Sequence, residues 1–496
     1  MMTLPQPVLH ALTLLWDAGF EAYVVGGAVR DALLRRAPKD YDIATNASPE
    51  ETGRIFAAYR VIGTGLAHGT VTVRISHMPL EITTYRAGYI KGADEEGVAG
   101  DPVSPPAPVS PTEKANTGIK TAQENRGISR GLWADLACRD FTCNAMAWHP
   151  EQGIIDPFGG AQDLADGIVR CPGAPARRFQ EDAVRILRAL RFAAVFDMCI
   201  EPQTAQALRE NKLLLQASAA ERIREELTQL LCGVSAAGVL EEYAEVVAVA
   251  LPELVPMFGF EQKNPHHDKD VWRHTLAVVE AAPAEPVLRW TALLHDAGKP
   301  ACFSLDADGI GHFYGHAGQS AQIADAILTR LRFDTRRHEQ IVRIVRRHDT
   351  PVLPEEKQLK RLLNKLGEED TRRLLALQKA DMCGQAPVPC PAAAFGGGRA
   401  DAQRAAARKG LLFPAGSCRK RRRHAPAGLT GKGCWCGAGR VPCCRVGRRN
   451  AQRAHGAAEL CTGCRCSSCF KRPLISKTAV CVQRLREHAL ICAFHH

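Results

Sequence analysis

The chain has 496 residues, a formal net charge of +11 and 19 cysteines, and its length predicts two to four domains with buried cores. With 46% hydrophobic and 24% charged residues, the composition excludes collagen, coiled coil and global disorder. No window of about 18 uncharged apolar residues predicts a transmembrane helix, and the N-terminus lacks a basic leader, so we expect a cytoplasmic protein without a secretion signal.

The first predicted element is a short apolar strand, Glu21 to Val25, followed by Gly26 and Gly27 and then a helix from Ala28 to Leu34. Two glycines between a strand and a helix let the backbone approach a phosphate closely, with the amide groups of the helix start facing the anion. The same pattern is also found in ordinary tight turns, so alone it is a weak signal.

A second strand is predicted around Lys39 to Thr45, and it carries Asp40 and Asp42. Residues i and i+2 of a strand point to one face, so this strand would present two carboxylates side by side. Two like charges this close favour a bound cation, and hard oxygen ligands favour Mg²⁺. A solvated D-x-D on an edge strand is the alternative, and the preceding glycine turn favours the metal site.

Together these motifs resemble the class II nucleotidyltransferase head of the bacterial CCA-adding enzyme and poly(A) polymerase family, whose signature is G-G-x-V-R-D followed by D-x-D. The similarity continues through a hairpin at Val61 to Val73, a strand at Leu80 to Arg86 and an I-D-P-F-G-G motif at Ile154 to Gly160. A segment with five prolines, Gly97 to Arg130, departs from the pattern and is predicted to be a flexible inserted loop.

Asp135 to Ala147 resembles the family motif R-R-D-F-T-x-N-A, with Cys138 in place of the first arginine. The resemblance implies that this segment contacts the ribose, through Arg139, Asp140 and Asn144. It also implies that Mg²⁺ bound by the catalytic residues Asp40 and Asp42 activates an RNA 3′-hydroxyl and binds the triphosphate. The implied phosphate ligands are Gly26, Gly27 and Arg30, and Glu81 is a candidate third carboxylate.

A continuous helix is predicted from Glu181 to Ala194, with Asp182 and Arg185 on one face. They could form a surface salt bridge, or they could select a base. A carboxylate accepting an exocyclic amino group and a guanidinium donating to a ring nitrogen would accept cytosine and adenine and reject uracil and guanine. The family motif E-D-x-x-R-x-x-R-A-x-R-F-A, which includes Arg188, implies this protein template for CTP and ATP. Glu221 to Leu227 resembles a supporting family helix.

A histidine–aspartate set follows: His274, His295, Asp296 and Asp381, with His316 and His348 as possible further ligands. The order H…H-D…D and the segment L-L-H-D-A-G-K-P resemble the HD phosphohydrolase superfamily. Imidazole and carboxylate ligands together suit Ni²⁺, Mn²⁺ or Zn²⁺. Hydrolysis is a separate question from metal binding, because HD domains of related enzymes differ in activity.

The sequence therefore predicts an α+β protein: residues 1–160 form a nucleotidyltransferase head with a small mixed sheet, 161–250 a helical neck that selects nucleotides and binds RNA, and 251–386 an HD body. The predicted function is CCA addition to the tRNA 3′ end from CTP and ATP, without a membrane or a stable protein partner. The alternatives are a poly(A) polymerase or A-adding enzyme, an HD-type metal phosphohydrolase acting on RNA ends, and a basic RNA-binding protein.

The C-terminal segment differs in composition. Residues Pro387 to His496 carry 21 Lys and Arg, 3 Asp and Glu and 12 cysteines, which leaves the preceding 386 residues with a net charge of −7. This tail, expected to be disordered, could be a nucleic-acid arm around Arg419 to Arg423 or a zinc module around Cys461 to Cys469. The favoured interpretation is an aberrant segment produced by a frame shift, so the net charge is no evidence for RNA binding.

Overall fold

The fold was analysed in a computed structural model that describes residues 2–63, 65, 69–85, 128–264, 268–352 and 355–385. The predicted insert, except for Ile128 to Arg130, and the whole predicted tail from Pro387 lie outside the described residues. The predicted fold is confirmed: a mixed sheet with helices in the head is followed by a helical region that contains the HD residues.

The head is built on a seven-stranded sheet in the order β3-β4-β5-β2-β1-β6-β7. β5 and β2 are parallel and the other neighbours are antiparallel. All four residues of β1 are buried, as their continuous apolar character requires of a central strand. The strands are β1 Ala22–Val25, β2 Asp42–Thr45, β3 Arg60–Ile62, β4 Thr70–Ile75, β5 Met78–Thr84, β6 Ala147–His149 and β7 Gly153–Ile155.

Within the described residues, five helices accompany this sheet: α1 Gln6–Asp17, α2 Gly27–Leu33, α3 Pro49–Ile55, α4 Arg130–Ala137 and α5 Gly160–Asp166. Their starts follow from local chemistry. Ser48 and Glu51 form a capping box at α3, and the Ser129 hydroxyl accepts the Leu132 N–H at the start of α4. α4 packs its buried Leu132 and Leu136 onto the sheet, in a core with Tyr23, Val25 and other apolar residues.

The two sides of the predicted insert are fixed to one carboxylate of the head. Glu21 Oε2 accepts hydrogen bonds from the Tyr85 hydroxyl at 2.8 Å and from the Ser129 hydroxyl at 2.6 Å. Burial, followed by the charge of Glu21, raises the pKa of Tyr85, so the phenol stays a donor throughout the physiological range. Tyr85 and Ser129 are therefore fixed at the same point of the head.

The rest of the described chain is helical apart from two small sheets, β8 Ile168–Val169 with β9 Cys199–Ile200 and β10 Ser304–Leu305 with β11 Gly311–His312. α7 packs against α9, and α12 packs against α16. No helix of the described residues is both long and apolar enough to cross a membrane. The helices are α6 Pro175–Glu181, α7 Val184–Phe196, α8 Pro202–Glu210, α9 Ala220–Leu231, α10 Ala236–Glu242, α11 Ala244–Ala250, α12 Val271–Ala281, α13 Pro286–Leu294, α14 His316–Arg330, α15 Thr335–Val345 and α16 Glu356–Gly384, with a kink at Gly367.

Two local predictions were wrong. The second strand begins at Asp42, so Asp40 lies in the segment before β2 rather than on the same strand face. The helix predicted from Glu181 to Ala194 is broken, because Asp182 has extended backbone angles (φ −154°, ψ 100°) between α6 and α7. Asp182 and Arg185 therefore do not share one helix face.

Candidate functional site

A polar cleft lies where the head meets the first neck helices. Its volume is about 360 Å³, and six arginines and three aspartates line it, which makes it attractive to an anion with several charges. Every nucleotide-binding residue predicted from the sequence lines this cleft, together with Asp42; Asp40 does not. The lining residues are Gly26, Gly27, Arg30, Asp42, Arg139, Asp140, Asn144, Asp182, Arg185, Arg188, Arg191, Phe192 and Arg222.

The glycine turn forms one wall of the cleft. Gly26 has φ +70°, a conformation that L side chains rarely adopt, and a Cβ there would lie 2.7 Å from Arg139 Nη1. Gly27 begins α2 directly after it. The predicted strand–glycine–helix arrangement is confirmed, and it leaves backbone rather than side chain at this wall.

The acidic side of the cleft is formed by two neighbouring strands. Asp42 and Glu81 are direct partners in the parallel pairing of β2 with β5, and both line a second cavity that adjoins the first at Asp42 and Arg139. Desolvation, followed by the negative charges of Asp42 and Asp40, raises the pKa of Glu81. The three carboxylates thus share one electrostatic environment, and a divalent cation held by oxygen ligands would relieve their repulsion.

The predicted ribose segment is held by a network around Asp140. The Asn144 amide and the Phe141 N–H donate to Asp140 Oδ1 at 2.9 and 2.8 Å, and Arg188 donates to Oδ2 at 2.5 and 3.0 Å. Burial raises the pKa of Asp140, but the Arg188 charge and these hydrogen bonds outweigh it and bring the pKa to about 2. Arg30 in turn donates to the Asn144 side-chain oxygen at 2.8 Å, which links the segment to α2.

Asp182 pairs with Arg222 of α9, not with Arg185. The guanidinium contacts both carboxylate oxygens, at 3.0 and 2.7 Å. Burial raises the pKa of Asp182, but the hydrogen bonds and charge of Arg222 outweigh it, so the pKa lies below its ordinary value. Arg185 donates to Glu181 at 3.0 Å and to the Cys138 carbonyl at 3.0 Å. Both predicted base-selecting residues line the same cleft. Asp182 is bound to Arg222, and Arg185 is bound to Glu181 and the Cys138 carbonyl.

Three cleft residues were not predicted as site residues: Arg191, Phe192 and Arg222. Arg191 and Phe192 belong to the quoted helix motif, so their spacing from Arg188 could have indicated them. Arg30, Arg188 and Arg191 lie 5.3, 5.9 and 4.8 Å from the centre of the Phe192 ring. Arg222 lies in the segment that resembles a supporting family helix, but its pairing with Asp182, 40 positions away, could not be read from the local sequence.

A second site is buried among the body helices. His274 of α12, His295 and Asp296 after α13, and Asp381 of α16 converge as predicted. His274 Nε2 lies 2.8 Å from Asp381 Oδ1 and 3.4 Å from Asp296 Oδ2, and His295 Nε2 lies 3.2 Å from Asp296 Oδ2. Burial lowers the pKa of His295, but the negative charges of Asp296 and Asp381 outweigh this effect and raise the pKa to about 10. The same negative charge attracts a metal cation.

His316 and His348 complete the cluster on the other side of Asp296. Their Nε2 atoms lie 3.2 Å apart, and each is 3.5 Å from Asp296 Oδ1. Asp296 thus turns one oxygen toward His274 and His295 and the other toward this second pair.

The ring orientations fit metal binding. His295, His316 and His348 each place Nδ1 within 2.8 Å of a backbone carbonyl three residues earlier, so Nδ1 carries a hydrogen and Nε2 is the ring nitrogen that could bind a cation in place of a proton. The Nε2 lone pairs of His316 and His348 then face each other, an arrangement that a divalent cation between them would stabilise. His295 Nε2 and Asp296 Oδ2 are both buried, 3.2 Å apart, and Asp296 Oδ2 also lies 2.8 Å from Lys299 Nζ.

Comparison with known proteins identifies three segments of the chain. Residues 22–170 match the family described as Poly A polymerase head domain, 197–255 the Probable RNA and SrmB-binding site of polymerase A, and 271–383 the HD domain. The matched segments include the histidine cluster, the cleft residues from Gly26 to Asn144, and Arg222. The other cleft residues, from Asp182 to Phe192, lie between the first two matched segments. The chain therefore carries a poly(A) polymerase head domain, the RNA-binding segment found in polymerase A, and an HD domain.

Among curated proteins, the chain is 40% identical over 229 residues to a CCA-adding enzyme of Lactobacillus helveticus, covering 46% of this chain and 49% of the relative. It is 42% identical over 226 residues to that of Streptococcus suis, with the same two coverages. The CCA-adding enzyme of Lactobacillus delbrueckii subsp. bulgaricus is 37% identical over 296 residues, 58% of this chain and 66% of the relative. The chain thus spans about half the length of the first two relatives.

Among solved structures, the Bacillus stearothermophilus CCA-adding enzyme in complex with CTP matches with a TM-score of 0.50 and 27% identity. The match covers 76% of this chain and 77% of that chain. A tRNA nucleotidyltransferase complexed with a primer tRNA and an incoming ATP analog matches with a TM-score of 0.50 and 22% identity, covering 75% and 94%. The second structure supports the fold alone.

Proposed function

We propose that this chain is a template-independent RNA nucleotidyltransferase that adds CCA to the 3′ end of tRNA from CTP and ATP and releases pyrophosphate. The observation that carries the proposal is one cleft lined by the glycine turn, Asp42, the Asp140 network and the two predicted base-selecting residues, Asp182 and Arg185. Its arginine excess suits a triphosphate, and the named relatives are CCA-adding enzymes. The cytoplasm is the proposed compartment, since six of the seven cysteines in the described residues are free thiols, Cys199 being the exception.

Asp40 and Asp42 are the proposed ligands of Mg²⁺, with Glu81 as a neighbouring carboxylate. When bound, the ion would neutralise triphosphate charge and make the RNA 3′-hydroxyl easier to deprotonate. Arg30 and the backbone at Gly26 and Gly27 are placed to hold phosphate oxygens, and this positioning aligns the 3′-oxygen with the α-phosphorus. The new P–O bond forms as the bond to pyrophosphate breaks, and the arginines stabilise the charge on the leaving group.

Asp182 and Arg185 are the proposed base-selecting residues. An ionised Asp182 accepts from the exocyclic amino group of cytosine or adenine, while Arg185 donates to the adjacent ring nitrogen. The Arg222 pair keeps Asp182 ionised and oriented. Arg185 is held in the cleft by Glu181 and the Cys138 carbonyl, and an incoming base would exchange one of these contacts.

Replacing Arg222 with glutamine should reduce the preference for CTP over UTP by about tenfold, equivalent to about 1.4 kcal/mol. Without the guanidinium, the Asp182 carboxylate loses its fixed orientation and its pKa rises toward the ordinary value. The measurement is kcat/KM for each nucleotide on a tRNA lacking CCA. Arg209→Gln, which breaks a half-exposed pair with Glu245, is the matched control. An unchanged CTP to UTP ratio in Arg222→Gln would exclude this role.

The main alternative is a poly(A) polymerase or A-adding enzyme, and one experiment separates it. The full chain is incubated with Mg²⁺, CTP, ATP and a tRNA transcript that ends at the discriminator base, and the added nucleotides are sequenced. Addition of C, C and A in order supports the proposal. Adenosine-only tails on tRNA and on unrelated RNA would favour the alternative. The HD domain at residues 271–383 would then need a role other than one in tRNA processing.

A second candidate activity is metal-dependent hydrolysis of phosphate esters at RNA ends by the HD domain. Two ligand groups that share Asp296 favour it: His274, His295 and Asp296, and Asp296, His316 and His348. Water would attack the phosphorus, the P–O bond to the ribose oxygen would break, and the ribose hydroxyl would leave with a proton. Buried Lys299, with Nζ 2.8 Å from Asp296 Oδ2, adds a positive charge beside the ligands.

Adding Mn²⁺, Ni²⁺ or Zn²⁺ should raise the melting temperature of the chelator-treated protein, because the ion binds only the folded ligand cluster. At 100 times Kd the gain is about 2.7 kcal/mol. Asp296→Asn should abolish the shift, since this carboxylate touches both ligand groups. Asp325→Asn is the control, because Asp325 also pairs with a histidine, His338, but at an exposed position. A full shift in Asp296→Asn would contradict metal binding at this cluster.

A further inference from the structure

An exposed aromatic pair lies directly before α14 in the HD body. The side chain of Tyr314 is exposed, with 79% of the residue accessible to solvent. Its ring stacks almost parallel on His312, with an interplanar angle of 8° and centroids 5.3 Å apart. An exposed aromatic ring offers a flat face on which a nucleobase can stack.

The His312 side of the pair is held in a fixed orientation. Asp306 Oδ2 contacts His312 Nε2 at 2.8 Å, and Asp306 Oδ1 accepts the backbone N–H groups of Asp308 and Ile310 at 3.0 and 2.8 Å. The Gly311 N–H donates to the Lys263 carbonyl at 2.8 Å, which attaches the hairpin to the body. The His312 ring is therefore a fixed flat surface against which the exposed Tyr314 ring stacks, so ordering it on binding would cost little entropy.

The same turn is continuous with the metal-ligand cluster. Tyr314 is two residues before His316, so their Cα atoms lie within about 7.6 Å. Between them in the chain, the Phe313 carbonyl accepts the Nδ1 hydrogen of His316 at 2.8 Å. Lys299 Nζ lies 5.3 Å from the centre of the Phe313 ring and 2.8 Å from Asp296 Oδ2. The segment that carries the exposed rings is thus continuous with the ligand His316.

We propose that Tyr314 and His312 form a stacking platform for the nucleobase of a terminal nucleotide whose phosphate lies at the HD ligand cluster. The inference rests on the proposed hydrolytic function of the HD domain and adds the group that recognises its substrate. A base is the partner that fits best, because every nucleobase has a flat π-face and its ribose phosphate extends a few ångströms to one side. Base stacking alone is tolerant of sequence, which suits an enzyme that acts on differing RNA ends.

The test compares a substrate that has a base with one that lacks it, using the full chain loaded with Mn²⁺. Hydrolysis of adenosine 2′-phosphate and of glycerol 2-phosphate is measured in wild type, Tyr314→Ala, Tyr314→Phe and Leu305→Ala. Tyr314→Ala should raise KM for adenosine 2′-phosphate about 5- to 100-fold, with kcat little changed. Tyr314→Phe keeps the ring and should behave as wild type. Leu305→Ala removes an exposed apolar side chain of the same hairpin and is the control.

Glycerol 2-phosphate should be hydrolysed equally by all four proteins. An equal loss on both substrates in Tyr314→Ala, or no loss on either, would overturn the platform. If wild type hydrolyses neither compound, the hydrolytic proposal fails, and the platform is then judged by titrating adenosine 2′-phosphate into the Mn²⁺-loaded wild type and Tyr314→Ala. Weaker binding to the variant supports base stacking without hydrolysis, and equal binding contradicts it.

Discussion

Replacing Asp42 with alanine is expected to lower CCA addition by about three orders of magnitude while the protein stays folded. Asp42 lines the cleft beside the glycine turn and faces Glu81 on the parallel strand. Removing it takes away a charge that would hold Mg²⁺ at the triphosphate. Product formation is measured by incorporation of labelled CTP and ATP into a tRNA transcript that lacks CCA.

The control for this variant is Asp17→Ala, which removes an exposed carboxylate at the end of α1 and should leave activity unchanged. Asp40→Ala and Glu81→Gln identify the second metal ligand. Asp40→Ala should approach the loss of Asp42→Ala, and Glu81→Gln should be milder. If Glu81→Gln is as severe as Asp42→Ala while Asp40→Ala is active, Glu81 takes the place of Asp40. Wild-type activity in the double variant Asp40→Ala/Asp42→Ala would refute the catalytic assignment.

Replacing Asp140 with alanine should lower the free energy of unfolding by about 2 to 4 kcal/mol. The substitution leaves the Asn144 amide and the Arg188 guanidinium without their shared acceptor. Arg188 keeps a contact to Glu226 at 3.4 Å and is partly exposed, so the loss is less than for a fully buried pair. The change in the free energy of unfolding is measured by urea denaturation. Glu245→Ala breaks the half-exposed pair with Arg209 and should cost less than about 1 kcal/mol.

The dependence of the unfolding free energy on pH below about pH 4 provides a separate check on Asp140. Its pKa is about 2 in the fold, against an ordinary 3.8, so the carboxylate stabilises the fold fully above about pH 4. That contribution, about 2 kcal/mol, is lost as the pH falls through the folded pKa near 2. Asp140→Asn should therefore show a shallower decline between pH 4 and pH 2 than wild type. Parallel declines in the two proteins would show that Asp140 is not held ionised by its neighbours.

The sequence predicted best what depends on short motifs. The glycine turn, the ribose segment and the histidine set each combine a residue type with a local element, and the structure brings them to one cleft and one buried cluster. Asp381 is 85 positions after Asp296, yet it could be assigned because the family resemblance includes a late aspartate.

What could not be predicted depends on single residues or on distant partners. Asp182 lies within an apolar pattern of helical period. Because such a pattern is averaged over several residues, it cannot reveal that one residue has extended backbone angles. The start of β2 at Asp42 rather than Asp40 could not be predicted for a similar reason, because sequence patterns locate the ends of strands only to within a few residues. The Arg222 pair with Asp182 forms only when α9 packs against α7, so it is a product of tertiary structure.

Glu21 has a wider consequence for how this head can change. Because Tyr85 and Ser129 both donate to its one carboxylate, the described chain on either side of residues 86–127 is fixed at one point of the head. The entropy of closing a loop rises only slowly with its length, so residues can be added or removed between these points at little cost to the sheet. The head thus offers a place where evolution, or an engineer, could graft a new module while the catalytic cleft keeps its geometry.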